Sequence, residues 1–371
     1  ALDGLTNDCL MKAYDLCNDK YDGIVIANDA MQFSAGVNLN YFYDRAVNKE
    51  FKDIDVFLNN FQQSLYQLQH AKFPVVSCPS GLAIGGGYEV ISQTSFIAAH
   101  SNSVLGLVES LVGLIPAGGG CKEMLRRWAS HSDIKNDPKL LSLKVFNLIG
   151  YATTADSPIK ARDQQFLGDK DVMVMSKDRL IEEADKLIFS NRENYQPLDS
   201  ATFSLPGSTV MSDMMNILYE LKDKKVIGEH GIEVGKKLGY MLSGGDTMAS
   251  TILTEQNLYD LEREIFIDGS LGLETATLKE IIKILNKTYA SSIGVEFLHI
   301  QSVEQKQWVQ ERIEEVNNKT NFTTQGKKAI FQRLVESELF EQYLDKKFLG
   351  TKRYGIVGGE SMIPGIEQIV K

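Results

Sequence analysis

The sequence holds few residues of the kinds that staple or metallate a fold. Its four cysteines, Cys9, Cys17, Cys78 and Cys121, form no CxxC pair. In a chain of 371 residues that excludes a disulfide framework and points to reduced thiols in a cytoplasmic compartment. The five histidines, His70, His100, His131, His230 and His299, lie far apart without metal-ligand spacing, so no metal is expected. No apolar run approaches the roughly 18 residues that span a bilayer. The opening residues lack the basic and apolar regions of a signal peptide, and the start on Ala1 predicts a chain that begins partway into a longer protein. Positive charge is also in deficit: a net charge of −10 sets the overall field against nucleic acid and anionic lipid as partners. There is no G-x-x-x-x-G-K-[ST] phosphate loop, and Gly85-Gly-Gly-Tyr-Glu-Val90 puts Val90 where a dinucleotide fingerprint needs its third glycine.

What the chain does have is concentrated between residues 74 and 120. Three consecutive glycines, Gly85 to Gly87, follow an apolar run, Pro74-Val-Val-Ser-Cys78, and precede a helical pattern. Such a turn brings a ligand against bare backbone N–H groups at the positive end of a new helix. Glu89 comes directly after it. Glu109 follows twenty residues on, ahead of a second glycine cluster in Gly113-Leu-Ile-Pro-Ala-Gly-Gly-Gly120. Taken singly, a glutamate in a helix is a solvated or ion-paired side chain and a glycine turn is only a turn.

Along the chain, residues 6–19 read as a helix capped by Thr6, Asn7 or Asp8, and residues 23–27 as a short buried strand. A helix of about five turns carries Phe51, Ile54, Leu58, Phe61, Leu65 and Leu68 on one stripe. Residues 74–78 and 95–100 read as strands. This alternation predicts an α/β core with mainly parallel strands. Beyond Trp128 strands become scarce, and helical patterns occupy 138–149, 178–189, 211–222, 231–243 and 252–265. Further helices are expected around Leu278–Leu285 and at 328–348.

Three segments in order, Phe33-Ser-Ala-Gly-Val-Asn-Leu39, Ala83-Ile-Gly-Gly-Gly-Tyr-Glu89 and residues 105–120, resemble signature segments of the crotonase (enoyl-CoA hydratase/isomerase) superfamily. The resemblance extends to about Glu264. Residues 229–240 and 254–264 look like the hydratase half of bacterial fused 3-hydroxyacyl-CoA dehydrogenase/enoyl-CoA hydratase proteins. It implies a crotonase-like (ClpP/crotonase) α/β fold with a spiral β-β-α core over 1–130, amino-terminally truncated, and a helical extension over 131–264. It also implies tasks for particular residues. The N–H groups of Val37 and Gly86 would form an oxyanion hole for a thioester, with Glu89 as base and Glu109 as acid around a water molecule. Ala35, Val37 and Leu39 would line the coenzyme A channel, and Ile115 and Pro116 would pack near the acyl pocket. The substrate would be an acyl-CoA thioester, with no other cofactor and no metal, and homotrimers would be expected as in many relatives. Asn38 departs from the pattern, since many relatives have Asp there. Ala1-Leu2 look like the middle of the family's opening segment, which leaves the first strands, and a basic residue that meets coenzyme A, outside the chain.

From about Ile265 the resemblance changes. Residues 265–279, 289–300 and 350–364 resemble the early part of the thiamine-dependent first component of 2-oxoglutarate dehydrogenase. No G-D-G metal motif is present, so this segment, 265–371, implies no decarboxylase activity and is expected to be mostly helical. His299 within it reads as a core residue. The two resemblances meet in Leu261-Glu-Arg-Glu-Ile-Phe266, which leaves a natural fusion and a chimera both open. The expected activity is hydration of a trans-2-enoyl-CoA in fatty acid β-oxidation. Double-bond isomerisation, which can use one carboxylate, and a non-catalytic chain are the other two readings.

Overall fold

The computed structural model describes residues 2–271 apart from Lys135 and Ser250. They fall within one compact unit, Ala1–Leu278; a second, Lys279–Lys371, lies outside the described residues. The helices expected around Leu278–Leu285 and at 328–348, and His299, also lie outside the described residues.

The chain opens on α1 (Gly4–Lys20) and β1 (Ile24–Ile26). The cap of α1 is Asp3, not one of the three residues expected. Its carboxylate accepts from Thr6 N–H at 3.0 Å while the Thr6 hydroxyl accepts from Asp3 N–H, so Thr6 serves as the third residue of a capping box. Next come α2 (Leu39–Val47) and α3 (Phe51–Gln69). The predicted stripe of α3 is its buried face: Ile54, Leu58, Phe61, Leu65 and Leu68 are nearly or fully inaccessible. Each such side chain contributes on the order of 1.5–3 kcal/mol by leaving water.

Beyond α3 run β2 (Val75–Ser77), β3 (Leu82–Ile84), α4 (Gly86–Ser92), β4 (Phe96–His100) and β5 (Val104–Gly106). The glycine turn therefore follows its own short strand, β3, and not the apolar run at β2. After a 3₁₀ turn at Glu109–Val112 come α5 (Gly120–Ala129), α6 (Pro138–Gly150), β6 (Thr154–Ala155), α7 (Pro158–Asp163) and β7 (Val172–Val174). The described chain finishes with α8 (Leu180–Asn191), β8 (Thr202–Ser204), α9 (Met211–Asp223), α10 (Glu229–Ser243), β9 (Ile252–Thr254) and α11 (Glu255–Leu271).

A four-stranded sheet has the order β1-β2-β4-β7, parallel throughout, with Ile24 opposite Val75 and Ala98 opposite Val172. A second sheet, β3-β5-β6, pairs β3 and β5 in parallel and β5 and β6 antiparallel. Strands β8 and β9 form a separate antiparallel pair. The parallel expectation thus holds for the first sheet. The second ends on an antiparallel strand of two residues, too short to leave a periodic signal. Helix α11 runs without a break through the point where the sequence resemblance changes, and Ile265 and Phe266 are both buried.

Candidate active site

The glycine turn is built so that backbone, not side chain, faces the site. Gly85 has φ +55° and ψ −132°, a conformation that a residue with a Cβ rarely adopts. It turns the chain from β3 into α4, so Gly86 is the first residue of that helix and its N–H has no intrahelical acceptor. Across from it the segment at Gly36, φ +98°, bridges to Leu2 and Ala83 on either side. The ladder bonds there run from Leu2 N–H to Gly36 O and from Asn38 N–H to Leu2 O, leaving the Val37 N–H out of the ladder. The two free donors are neighbours, since a Cβ placed on Gly86 would stand 3.3 Å from Val37 N. A pair of adjacent N–H groups of this kind can hold an oxygen that gains negative charge.

Two carboxylates flank the donors. Glu89, one turn into α4, is 3% exposed, and its Oε1 accepts from Gly118 N–H at 2.7 Å and Gly120 N–H at 2.9 Å. Burial pushes its carboxyl up to about 7, while the two N–H donors hold it back. Glu109 begins the 3₁₀ turn and reaches over the glycines: a Cβ on Gly85 would stand 3.2 Å from Glu109 Oε1. Glu109 Oε2 is buried without a hydrogen-bond partner. Burial first, and then the charge of Glu89, push the Glu109 carboxyl well above its ordinary range. Glu89 is thus braced by two N–H donors against its burial, while at Glu109 burial and the charge of Glu89 outweigh the backbone N–H groups of Glu109 and Val108 that favour its anion. Two neighbouring carboxyls whose surroundings push them apart in this way have the chemistry to act as a base and an acid.

A third carboxylate stands behind them, one that sequence reasoning passed over. Glu262 of α11 is fully buried and accepts from Gly119 N–H at 2.6 Å and Lys122 N–H at 2.9 Å. Burial and then the charge of Glu89 push its carboxyl up to about 8. The turn it grips is also held by two buried amides: Gln62 donates to Ala117 O at 2.8 Å, and Gln93 donates to Gly118 O at 2.9 Å. Tyr259 donates its hydroxyl to Gln93. A signal was present in the sequence, because Glu255, Tyr259, Glu262 and Phe266 share helical spacing, so two acids lie on a face that is otherwise apolar.

Of the residues expected to meet substrate, Pro116 is buried beside the second glycine cluster, where a Cβ on Gly120 would stand 2.9 Å from its own Cβ. Ile115 is buried and lines a small cavity of about 60 Å³ with His230, Val234, Ile265 and Phe266. Leu39 is half-buried at the start of α2. Ala35 is exposed, one residue before Gly36. Among the described residues no group of three or more His, Cys, Asp or Glu side chains could hold a metal ion, and no helix is long and apolar enough to cross a membrane.

Residues 1–136 match the family model described as enoyl-CoA hydratase/isomerase. The described fold is also that of a solved enoyl-CoA hydratase from Rhodobacter sphaeroides 2.4.1, at a TM-score of 0.52 and 16% identity, covering 76% of this chain and 83% of that one. The amino-terminal module has a crotonase-like fold and resembles the enoyl-CoA hydratase/isomerase family over residues 1–136. This crotonase-like module extends past the family match. A probable 3-hydroxyacyl-CoA dehydrogenase of Bacillus subtilis (strain 168) is 32% identical over 251 residues, 67% of this chain and 31% of that protein. A 2-oxoglutarate dehydrogenase E1 component of Brucella anthropi is 56% identical over 112 residues, 30% of this chain and 11% of that protein. Both resemblances seen in the sequence are therefore borne out, and the chain spans under a third of each of these relatives' length.

Proposed function

We propose that the crotonase-like module adds water across the double bond of a trans-2-enoyl-CoA, the hydration step of fatty acid β-oxidation. The observation that carries this reading is the pair of carboxylates, buried Glu89 and half-buried Glu109, set beside the two adjacent N–H groups of Val37 and Gly86. Water bound between the carboxylates gives one proton to Glu89 as its oxygen attacks the β carbon. The electron pair of the double bond moves toward the thioester, and the Val37 and Gly86 N–H groups take up the charge on its oxygen. Glu109 then delivers its proton to the α carbon. Glu89 ends protonated and Glu109 ionised, so one proton must pass back between these neighbours before the next turnover.

The physical case for the role assignment is the asymmetry of the two acids. Glu89 has two N–H donors that favour its anion, as a base requires. Glu109 has one buried oxygen without a hydrogen-bond partner, and burial and the charge of Glu89 outweigh the backbone N–H groups of Glu109 and Val108, which favours the protonated form an acid requires. An isomerase needs only one such group. Crotonyl-CoA absorbance should fall with the intact chain, and Glu89→Gln or Glu109→Gln should slow it about 10²–10⁴-fold. Equal rates in all three proteins would refute the hydratase reading, and conversion of a 3-enoyl-CoA without water addition would replace it with isomerisation.

A further inference from the structure

Helix α5 begins on an uncapped turn. Its N-cap is Gly119, with φ +103° and no side chain to offer, so the N–H groups at its start need acceptors from elsewhere. They are supplied by two buried glutamates from different helices in an interleaved pattern. Glu89 of α4 takes Gly118 and Gly120, while Glu262 of α11 takes Gly119 and Lys122. The four bonds span five residues, so moving one carboxylate out of the turn releases backbone that the other needs.

We infer that Glu262 is a positioning residue for Glu89: by holding Gly119 and Lys122 it keeps the Gly118 and Gly120 N–H groups aimed at the Glu89 carboxylate. This rests on the proposal that Glu89 is the base. Several features favour position over bulk packing. Both oxygens of Glu262 are used, one per N–H, and a carboxylate is the only side chain of that length that offers two strong acceptors. The grip is braced through Tyr259, one turn earlier on α11, whose hydroxyl meets Gln93; Gln93 in turn donates to Glu89 O and Gly118 O. Helix α11 thereby touches the base's turn from one side and the base's own helix from the other.

The charged and titratable groups facing Glu262 are Glu89 from α4, Glu109 from the 3₁₀ turn, Cys121 and Lys122 from α5, and Tyr259 from its own helix. Two effects of removing it therefore oppose each other. Loss of a negative neighbour would let Glu89 ionise at lower pH. Slackening of the two N–H donors would make it ionise at higher pH. Positioning predicts that the second effect wins.

The test is an infrared titration of the full chain, following the protonated-carboxyl band that disappears in Glu89→Gln. In Glu262→Leu the midpoint of that band should rise by about 1 pH unit. In Glu262→Gln, which keeps the volume and one acceptor, it should rise by less. Hydration by the same proteins should show kcat reduced about ten- to a hundredfold with KM little changed, since misplacing a reacting group costs rate more than binding. A midpoint that falls would mean that Glu262 acts on Glu89 only by charge. A midpoint that stays put while thermal stability drops would mean that it is only structural. Either result overturns the inference. The titration needs no turnover, so failure of the intact chain to hydrate would sink the hydratase reading alone.

Discussion

Adding one methyl group at Gly118 should separate the site from the fold around it. Gly118 does not have a positive φ, so alanine there meets no backbone strain and the cost is contact alone. The new Cβ would stand 2.6 Å from Glu89 Oε2 and press on the Phe61 ring. Overpacking of this kind costs about 1–3 kcal/mol, and loosening the Gly118 bond to a charged carboxylate adds about 1.5–3 kcal/mol. If the strain is relieved by moving Glu89, a displacement near 1 Å is worth about 10²-fold in rate. The control is Gly150→Ala at the end of α6, where the nearest atom to the new Cβ is Leu238 Cδ2 at 3.8 Å and the contact is ordinary. Thermal unfolding and crotonyl-CoA hydration of both variants decide the matter. Gly118→Ala should lose about 5–15 °C in Tm and most of its rate, while Gly150→Ala should match the parent. If the two variants behave alike, the packing of Glu89 against the second glycine cluster has been misjudged.

Glu89 is ionised with difficulty when folded, so the folded chain binds a proton that the unfolded chain has released. Its contribution to stability is complete below the ordinary glutamate range near 4.5 and is lost as pH rises through about 7. Glu262 extends the loss through about 8. Chemical denaturation between pH 5 and 9 should therefore show stability falling by a few kcal/mol, and Glu89→Gln should flatten that slope; a slope unchanged in the variant would remove Glu89 as its source. Glu123 runs the other way. It is fully buried and held well below the carboxylate range by Arg126, Lys122 and Arg127, with Arg126 at 2.5 Å and Arg127 at 2.9 Å, so its contribution is lost only in strong acid. Glu123→Ala strands those cations and should cost about 3–5 kcal/mol in urea unfolding; a loss under 1 kcal/mol would show the network to be dispensable. Asp3→Ala removes the carboxylate that accepts from Thr6 N–H at an exposed helix end and should cost about 1 kcal/mol with no change in hydration rate.

The helices were legible where their pattern is long. The α3 stripe repeats over five turns and is the buried face of a real helix, because a periodic apolar stripe has no other way to leave water. Strands of two or three residues, such as β3 and β6, cannot establish a period, so nothing in the sequence separates β3 from the turn that it feeds. At the start of α1, Asp3, Thr6, Asn7 and Asp8 are all competent caps, and only the backbone selects Asp3 among them. In the site, the pairing of Val37 with Gly86 depends on Gly36 lying beside the glycine turn. No spacing rule carries that information; it came only through the resemblance. No spacing rule links Glu262 to Glu89 either, since the two are 173 residues apart in sequence and meet on one turn only through its backbone N–H groups.

The central claim is that Glu89 and Glu109 together put water onto a carbon–carbon double bond. Its most direct test is the product formed from crotonyl-CoA in heavy-oxygen water, analysed by mass spectrometry. The account predicts a 3-hydroxy thioester with one heavy oxygen at the β carbon, formed by the intact chain and almost lost in both Glu→Gln variants. Product without the label, or a shifted double bond with no added oxygen, would contradict it.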